Sequence, residues 1–187
     1  MSFTFRSLDP VADAPLLHSW VTQPYASFWD MLGCTVEDVV RAYSPIQASG
    51  HHHALLGLDD GVPAFLMEVY RPESSPLAGV YTVRPGDIGM HLLVAPPAGP
   101  PRAGYTTRVM EAVLERLFAD PGVERAVVEP DVRNTNIHIL NARLGFQPAG
   151  EVALPDKRAL LSFCTREAFH AARADLHSSP IHHGAPL

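Results

Sequence analysis

A loop in the middle of the chain places a basic residue and a glycine directly before an amphipathic helix. The segment VAPPAGPPRAGYTTRVMEAVL carries Arg102, Gly104, Tyr105 and Thr106 where the loop enters the helix. Free backbone N–H groups and the helix dipole favour an anion at such a point, and a pyrophosphate would suit it. A turn glycine before a surface helix produces the same pattern, so the loop alone does not decide between the two.

Histidines form a second set of residues with chemical potential. A run of three occupies residues 51–53, and His177, His182 and His183 lie near the C-terminus. Successive side chains of a strand point to opposite faces, so three adjacent imidazoles do not converge readily on one ion. We therefore expect no metal site, while one histidine of the run could still line the acceptor cleft.

The two cysteines do not form a reactive pair. Cys34 and Cys164 lie far apart and make neither a metal-binding spacing nor a redox C-x-x-C motif. Cys164 ends the apolar run ALLSFC, which is typical of a buried core residue rather than of an acyl carrier. Both cysteines are expected to be reduced and structural.

Composition predicts a single globular domain. The chain has 187 residues, of which 47% are hydrophobic and 18% are charged, a balance unlike that of a disordered chain. Lys and Arg number 14 against 20 Asp and Glu, which gives a formal net charge of −6. This charge argues against nucleic acid as a partner, because phosphate neutralisation needs a basic face, and it suits a cationic small substrate.

Signals for a membrane or for export are not recognised in the sequence. No apolar stretch approaches the roughly 20 residues that cross a bilayer. The start MSFTFRSLDP lacks the basic-then-apolar order of a signal peptide. We therefore expect a cytoplasmic protein with no membrane partner, while its oligomeric state stays open.

Apolar runs predict seven strands. They cover residues 3–7, 53–58, 62–69, 87–94, 125–129, 147–154 and 158–164. Asp59, Asp60 and Gly61 supply the turn chemistry of a hairpin between the second and third strands. The fourth strand runs into a proline-rich loop that neither a strand nor a helix can continue.

Four helices are predicted between these strands, over residues 8–20, 35–43, 105–118 and 134–144. Asp9 is a plausible cap before the first, Thr35 with Asp38 caps the second, and Gly145 ends the fourth. The third is the clearest, because its apolar residues recur at spacings of three and four. The order predicts an α/β (α+β) domain over residues 1–169, with helices flanking a mixed sheet, and a flexible C-terminal tail over residues 170–187.

Four motifs resemble those of a known superfamily. They are GDIGMHLL at 86–93, EPDVRN at 129–134, NARLGF at 141–146 and PDK at 155–157. Together with a strand, an anion-binding loop and a helix, they resemble the GNAT acyltransferases that acylate hydroxylamines in hydroxamate siderophore synthesis, and the resemblance covers about residues 3–169. It implies a GNAT-type, mostly antiparallel sheet of about six to seven strands with about four helices. The pyrophosphate loop departs from the superfamily pattern, since only Gly104 matches it, with Pro101 and Thr106 at the other two positions.

The resemblance also implies roles for individual residues. His91 and Asp131 carry over as the catalytic pair, with His91 as base near neutral pH and Asp131 orienting its ring or holding the hydroxylamine. Residues implied to bind acyl-coenzyme A are Leu93, Val94, Arg102, Gly104, Tyr105, Thr106, Asn134 and Asn141. Trp29, Glu68 and Tyr70 are expected to wall the acceptor pocket, with Glu68 attracting a distal ammonium. Asn141 stands where many relatives have a tyrosine that protonates the leaving thiolate.

The function implied is direct transfer of an acetyl or succinyl group from acyl-coenzyme A to the hydroxylamine nitrogen of N-hydroxycadaverine, without a metal. N-hydroxyputrescine and N-hydroxylysine remain open as acceptors. Two alternatives also remain. One is a GNAT N-acetyltransferase for an ordinary amine of a small molecule or of a protein N-terminus. The other is a noncatalytic acyl-coenzyme A sensing module, which the degenerate loop and the missing tyrosine would favour.

Overall fold

A computed structural model describes residues 2–97 and 99–178 of the chain. Its seven strands are β1 (Phe3–Ser7), β2 (His52–Asp59), β3 (Val62–Tyr70), β4 (Asp87–Val94), β5 (Arg125–Val128), β6 (Gln147–Ala153) and β7 (Arg158–Thr165). The five α-helices of the described residues are α1 (Ala14–Val21), α2 (Val36–Ala48), α3 (Tyr105–Phe118), α4 (Thr135–Arg143) and α5 (Arg166–Ser178). Short 3-10 helices occupy Pro24–Trp29, Pro72–Ser74 and Pro76–Gly79.

All seven strands form one sheet in the order β1-β2-β3-β4-β5-β7-β6. Every neighbouring pair is antiparallel except β4 and β5, which confirms the predicted mixed, mostly antiparallel sheet. The parallel pair runs only from Asp87 opposite Arg125 to Gly89 opposite Val127. Since β4 continues to Val94, its last residues have no partner on the β5 side, and a cleft opens there.

The two faces of the sheet are covered by different helices. Alternate residues of β3 point to opposite faces, so Phe65 and Met67 pack with α3, whereas Leu66 packs with α1 and α2. The face of α3 that lies on the sheet carries Val109, Met110, Val113, Leu114 and Leu117, all buried. This is the stripe that the helical spacing predicted.

The N-terminal helices differ in detail from the prediction. The Asp9 carboxylate accepts the N–H groups of Val11 and Ala12 in a turn, and the regular helix α1 starts only at Ala14. Thr35 and Asp38 form the predicted capping box of α2. This helix continues past Tyr43 and through Pro45 to Ala48, beyond the predicted end.

The fifth helix, α5, was not predicted. Arg166 anchors its start by donating hydrogen bonds to the carbonyl oxygens of Asp120 at 2.9 Å and Val123 at 2.7 Å. Phe169 is buried and stacks on Phe118. Residues 170–178 are therefore helical, which corrects the flexible tail expected there. Residues 179–187, with His182 and His183, lie outside the described residues.

None of the helices within residues 2–97 and 99–178 combines the length and the apolar character that a bilayer crossing requires.

Candidate active site

A histidine lies between two carboxylates at the point where the parallel pair separates. His91 of β4 is opposite Glu68 of β3 in the antiparallel register. Its Nδ1 lies 2.9 Å from Oε2 of Glu68, and its Nε2 lies 2.5 Å from Oε1 of Glu129, the residue that follows β5. Both glutamates are buried, whereas the imidazole is 34% exposed. The cluster therefore presents one face to the cleft.

The carboxylate of Glu68 is held by a chain of hydrogen bonds. Trp29 donates its indole N–H to the Tyr43 hydroxyl at 3.0 Å, and that hydroxyl donates to Oε1 of Glu68 at 2.9 Å. On the other side, Nε2 of His52 lies 3.4 Å from Oε2 of Glu68, without hydrogen-bond geometry. Glu68 is thus fixed in place rather than free to follow a substrate.

Glu129 is fixed in the same way from the opposite side. Tyr70 donates its hydroxyl to Oε2 of Glu129 at 2.7 Å, and its ring packs on the imidazole of His91 with centroids 5.0 Å apart. The ring of Tyr70 occupies the space beside Gly89, where a side chain would collide with it. Lys157 brings its ammonium within 3.9 Å of Oε1 of Glu129.

These contacts set the charges of the cluster. Burial lowers the pKa of His91, but Glu129 and Glu68 outweigh burial and raise this pKa to about 10. Burial raises the pKa of Glu68, yet contacts with His52 and His91 bring it well below its ordinary value. The pKa of Glu129 is lowered too, because His91, Tyr70 and Lys157 outweigh its burial. At neutral pH the cluster therefore holds an imidazolium between two carboxylates.

Asp131 does not have the place that the sequence predicted relative to His91. Its carboxylate receives hydrogen bonds from the Arg133 side chain at 2.8 and 2.7 Å and from the Arg133 backbone N–H at 2.8 Å. The Arg133 contacts lower the pKa of Asp131 to about 2. Glu129 takes the ring-orienting position instead, and the protonated His91 is not the free base that was expected near neutral pH.

A cavity of about 390 Å³ lies in front of the cluster. It brings together seven of the predicted site residues: Trp29, Glu68, His91, Leu93, Asp131, Asn134 and Asn141. A second cavity of about 220 Å³ is lined by Tyr70 and also borders His91. Glu129, Asp156 and Lys157 line both cavities, although none of the three was predicted as a site residue.

The first cavity has features that suit the reactive arm of an acyl-coenzyme A. Asn141 is 3% exposed, and its Oδ1 has no hydrogen-bond partner within the described residues. A buried acceptor of this kind costs stability unless a ligand satisfies it, and the pantetheine arm carries amide N–H groups. Met110 and Ile137 form an apolar part of the cavity wall. Beyond Gly89, β4 has no hydrogen-bonded partner among the described residues on the β5 side, so alternate backbone N–H and C=O groups of β4 face the cleft.

The predicted pyrophosphate loop lies outside both cavities. Gly104 adopts a left-handed conformation with φ 69° and is the N-cap residue of α3. The first N–H groups of a helix have no partner within the helix and can bind an anion. Here the Tyr105 N–H donates to the Arg102 carbonyl oxygen at 3.1 Å. Arg102 is bound instead to Asp59, at 2.6 Å, and lies over the ring of Tyr105. Tyr105 itself packs against Phe3. Val94 and Thr106 also do not line either cavity.

The histidine run does not assemble a metal site. Within the part of the chain that the structure describes, no group of three or more His, Cys, Asp or Glu side chains could hold a metal ion. His51 and His52 instead line the second cavity, while His53 is exposed on β2.

Comparison with known proteins identifies the domain. The family profile described as "Acetyltransferase (GNAT) domain" matches residues 9–154. The N-hydroxyputrescine acetyltransferase of Acinetobacter baumannii is 25% identical over 169 residues, which is 90% of this chain and 80% of that protein. The lysine N-acyltransferase MbtK of a Mycobacterium species is 28% identical over 183 residues, which is 96% of this chain and 74% of that protein.

A solved structure shares the fold over nearly the full chain. The structure of AAC(6')-Ib in complex with ribostamycin and coenzyme A has a TM-score of 0.80 and 26% sequence identity. The match covers 94% of this chain and 99% of that one.

Proposed function

The chain belongs to the GNAT acetyltransferase family, and we propose that it acylates the hydroxylamine nitrogen of a small N-hydroxydiamine, N-hydroxycadaverine in the first instance. Acyl-coenzyme A dependent N-acyl transfer is the activity that the family and the named relatives indicate. To this shared activity we add the identity of the acceptor, and we infer that the hydroxamate product is used in siderophore biosynthesis. Because acyl-coenzyme A is its donor, the reaction belongs in the cytoplasm.

The observation that carries the proposal is the imidazolium of His91 held between Glu68 and Glu129 at the edge of a cavity. A hydroxylamine nitrogen is less basic than an ordinary amine, so it is neutral and nucleophilic at neutral pH. It needs no strong base to become reactive. It needs positioning against the thioester and a carboxylate to take one proton as the new bond forms.

Glu129 is the residue best placed to take that proton. Glu129 lines both cavities beside His91, and the imidazolium and Lys157 help to keep its carboxylate ionised. In the proposed step a C–N bond forms to the acyl carbon and the C–S bond breaks. The proton leaves the nitrogen for Glu129, and the sulfur departs as thiolate. His91 holds the Glu129 carboxylate in position. Of the two roles that the resemblance implied for Asp131, orienting the His91 ring passes to Glu129, and we keep only contact with the acceptor.

The donor is an acyl-coenzyme A, which supplies the activated acyl group when bound. Asn141, Asn134 and the backbone of Leu93 would hold its arm, and the start of α3 at Gly104 and Thr106 would take the pyrophosphate. Arg102 can join them only by leaving Asp59. We propose that the transferred acyl group is acetyl or succinyl.

A second candidate is acetylation of an ordinary amine, as in the aminoglycoside acetyltransferases. The 0.80 TM-score to AAC(6')-Ib favours it. The first cavity, at about 390 Å³, lies near the lower end of the roughly 300 to 1,000 Å³ typical of pockets for drug-sized ligands, so its volume admits either kind of acceptor.

Free thiol release tests the proposal. Acetyl- and succinyl-coenzyme A are each supplied with N-hydroxycadaverine, cadaverine, N-hydroxylysine or kanamycin. The proposal expects rapid turnover with a hydroxylamine and slow turnover with cadaverine or kanamycin. Faster turnover with kanamycin would establish the second candidate. Acyl-coenzyme A binding without turnover of any acceptor would instead support a sensing module.

A further inference from the structure

The second cavity lies behind the reacting cluster and has an amphipathic wall. It shares His91, Glu129, Asp156 and Lys157 with the first cavity, so a molecule that reacts at the cluster can extend into it. Leu77 and Leu154 contribute apolar surface. Its volume of about 220 Å³ is sufficient for a thin unbranched chain.

The charges around this cavity leave one carboxylate uncompensated. Glu68 and Glu129 carry two negative charges, and His91 and Lys157 carry two positive charges within 3.9 Å of them. Those four groups compensate one another. Asp156 lines both cavities, and no hydrogen bond or ion pair is formed by its carboxylate within the described residues.

Asp156 lies in a turn that a backbone hydrogen bond closes. It lies in the β6–β7 hairpin, where the Leu154 N–H donates to the Lys157 carbonyl oxygen at 2.9 Å. The side chain is exposed and takes no part in closing the turn. The carboxylate is therefore available to a ligand, and its replacement should leave the hairpin folded.

We propose that the second cavity binds the distal end of the acceptor, an unbranched aliphatic chain whose terminal ammonium is bound by Asp156. The alkyl part lies against Leu77 and Leu154. This assignment rests on the proposed function and moves the ammonium partner from Glu68 to Asp156, because Glu68 is already engaged by His91 and Tyr43. A terminal carboxylate is less well served there, since Lys157, the one lysine or arginine among the described residues that line this cavity, lies against Glu129.

The test compares Asp156→Asn with wild type on two acceptors that differ only in the distal charge, N-hydroxycadaverine and N-pentylhydroxylamine. The kcat/KM ratio of the charged to the uncharged acceptor should fall about two- to fivefold in the variant, the scale of a solvent-exposed ion pair. Asp30→Asn is the comparison, because Asp30 lines only the first cavity. An unchanged ratio in Asp156→Asn, or a fall in Asp30→Asn instead, overturns the assignment.

Binding separates this inference from the proposed function. Calorimetry of cadaverine and pentylamine with wild type and Asp156→Asn needs no turnover. A cadaverine preference that is lost in the variant supports the cavity assignment even if no hydroxylamine is acylated. Turnover of N-hydroxycadaverine with equal binding of both amines to wild type keeps the proposed function and refutes the cavity assignment.

Discussion

Nε2 of His91 lies 2.5 Å from Oε1 of Glu129, a residue 38 positions further along the chain. The contact exists because β4 and β5 run parallel, with Gly89 opposite Val127, so that two residues later the same alignment brings His91 beside Glu129. The carboxylate that faces the imidazole is therefore set by strand register.

Replacing His91 by alanine should lower kcat by about a hundred- to ten-thousandfold, the usual scale for general acid–base catalysis, because Glu129 would lose the imidazolium that holds it in position. The KM for acyl-coenzyme A should change little, because the predicted donor contacts lie elsewhere in the cavity. Steady-state kinetics with N-hydroxycadaverine measure both. His53→Ala is the control, since His53 is exposed on the neighbouring strand and lines neither cavity. A loss confined to the donor KM would argue against a role for His91 in the chemical step.

Glu129→Gln should reduce kcat far more than Asp131→Asn. The first change removes the proton acceptor and leaves the His91 imidazolium with one carboxylate, whereas Asp131 is held by Arg133 away from the ring. The measurement is the kcat of each of these two isosteric variants at neutral pH. The reverse order would restore the pairing of His91 with Asp131 that the sequence suggested.

Stability should fall at alkaline pH as His91 loses its proton. Its folded pKa is raised from 6.5 to about 10, so its contribution is fully present below about pH 6.5 and is lost as pH rises through 10. Urea denaturation between pH 7 and pH 10.5 should show this decline in wild type and a shallower one in His91→Gln. Equal slopes in the two proteins would show that the imidazolium is not coupled to folding.

Gly89→Ala should lower both stability and kcat by displacing the ring of Tyr70. A Cβ at this position would lie 2.2 Å from the Tyr70 ring, so the ring must move and its hydrogen bond to Glu129 is lost. Overpacking of this kind costs about 1–3 kcal/mol in unfolding free energy. Denaturation and kcat together measure the effect. Gly33→Ala is the matched control, because a Cβ there has open space. Comparable losses in both variants would show that Tyr70 is not the cause.

Local patterns predicted much of the fold. The bounds of β4 and α3 match the sequence prediction because alternation and helical spacing are properties of short segments. The capping box at Thr35 and Asp38 was readable for the same reason. Helix α5 was not predicted, because Phe169 is its only fully buried residue. A single buried residue produces no periodic apolar pattern in the sequence.

The candidate site was less predictable, because it depends on contacts between distant residues. His91 and Glu68 were both identified, but their direct contact follows from the β3–β4 register. Glu129 precedes Asp131 by two residues in the same motif, and only the alignment of β4 with β5 distinguishes them. Lys157 and Asp156 reach the cluster through the β6–β7 hairpin, a position that their spacing in the chain does not reveal.

The most direct test of the central claim uses the two nitrogens of one acceptor. N-hydroxycadaverine carries a hydroxylamine at one end and an ordinary amine at the other, so both compete within one molecule. The product formed with acetyl-coenzyme A is identified by mass spectrometry and by its ferric complex. We predict that the wild-type product is a hydroxamate, which forms a coloured ferric complex, and that Glu129→Gln does not form this product. Acylation of the ordinary amine, giving a product that does not bind iron as a hydroxamate, would contradict it.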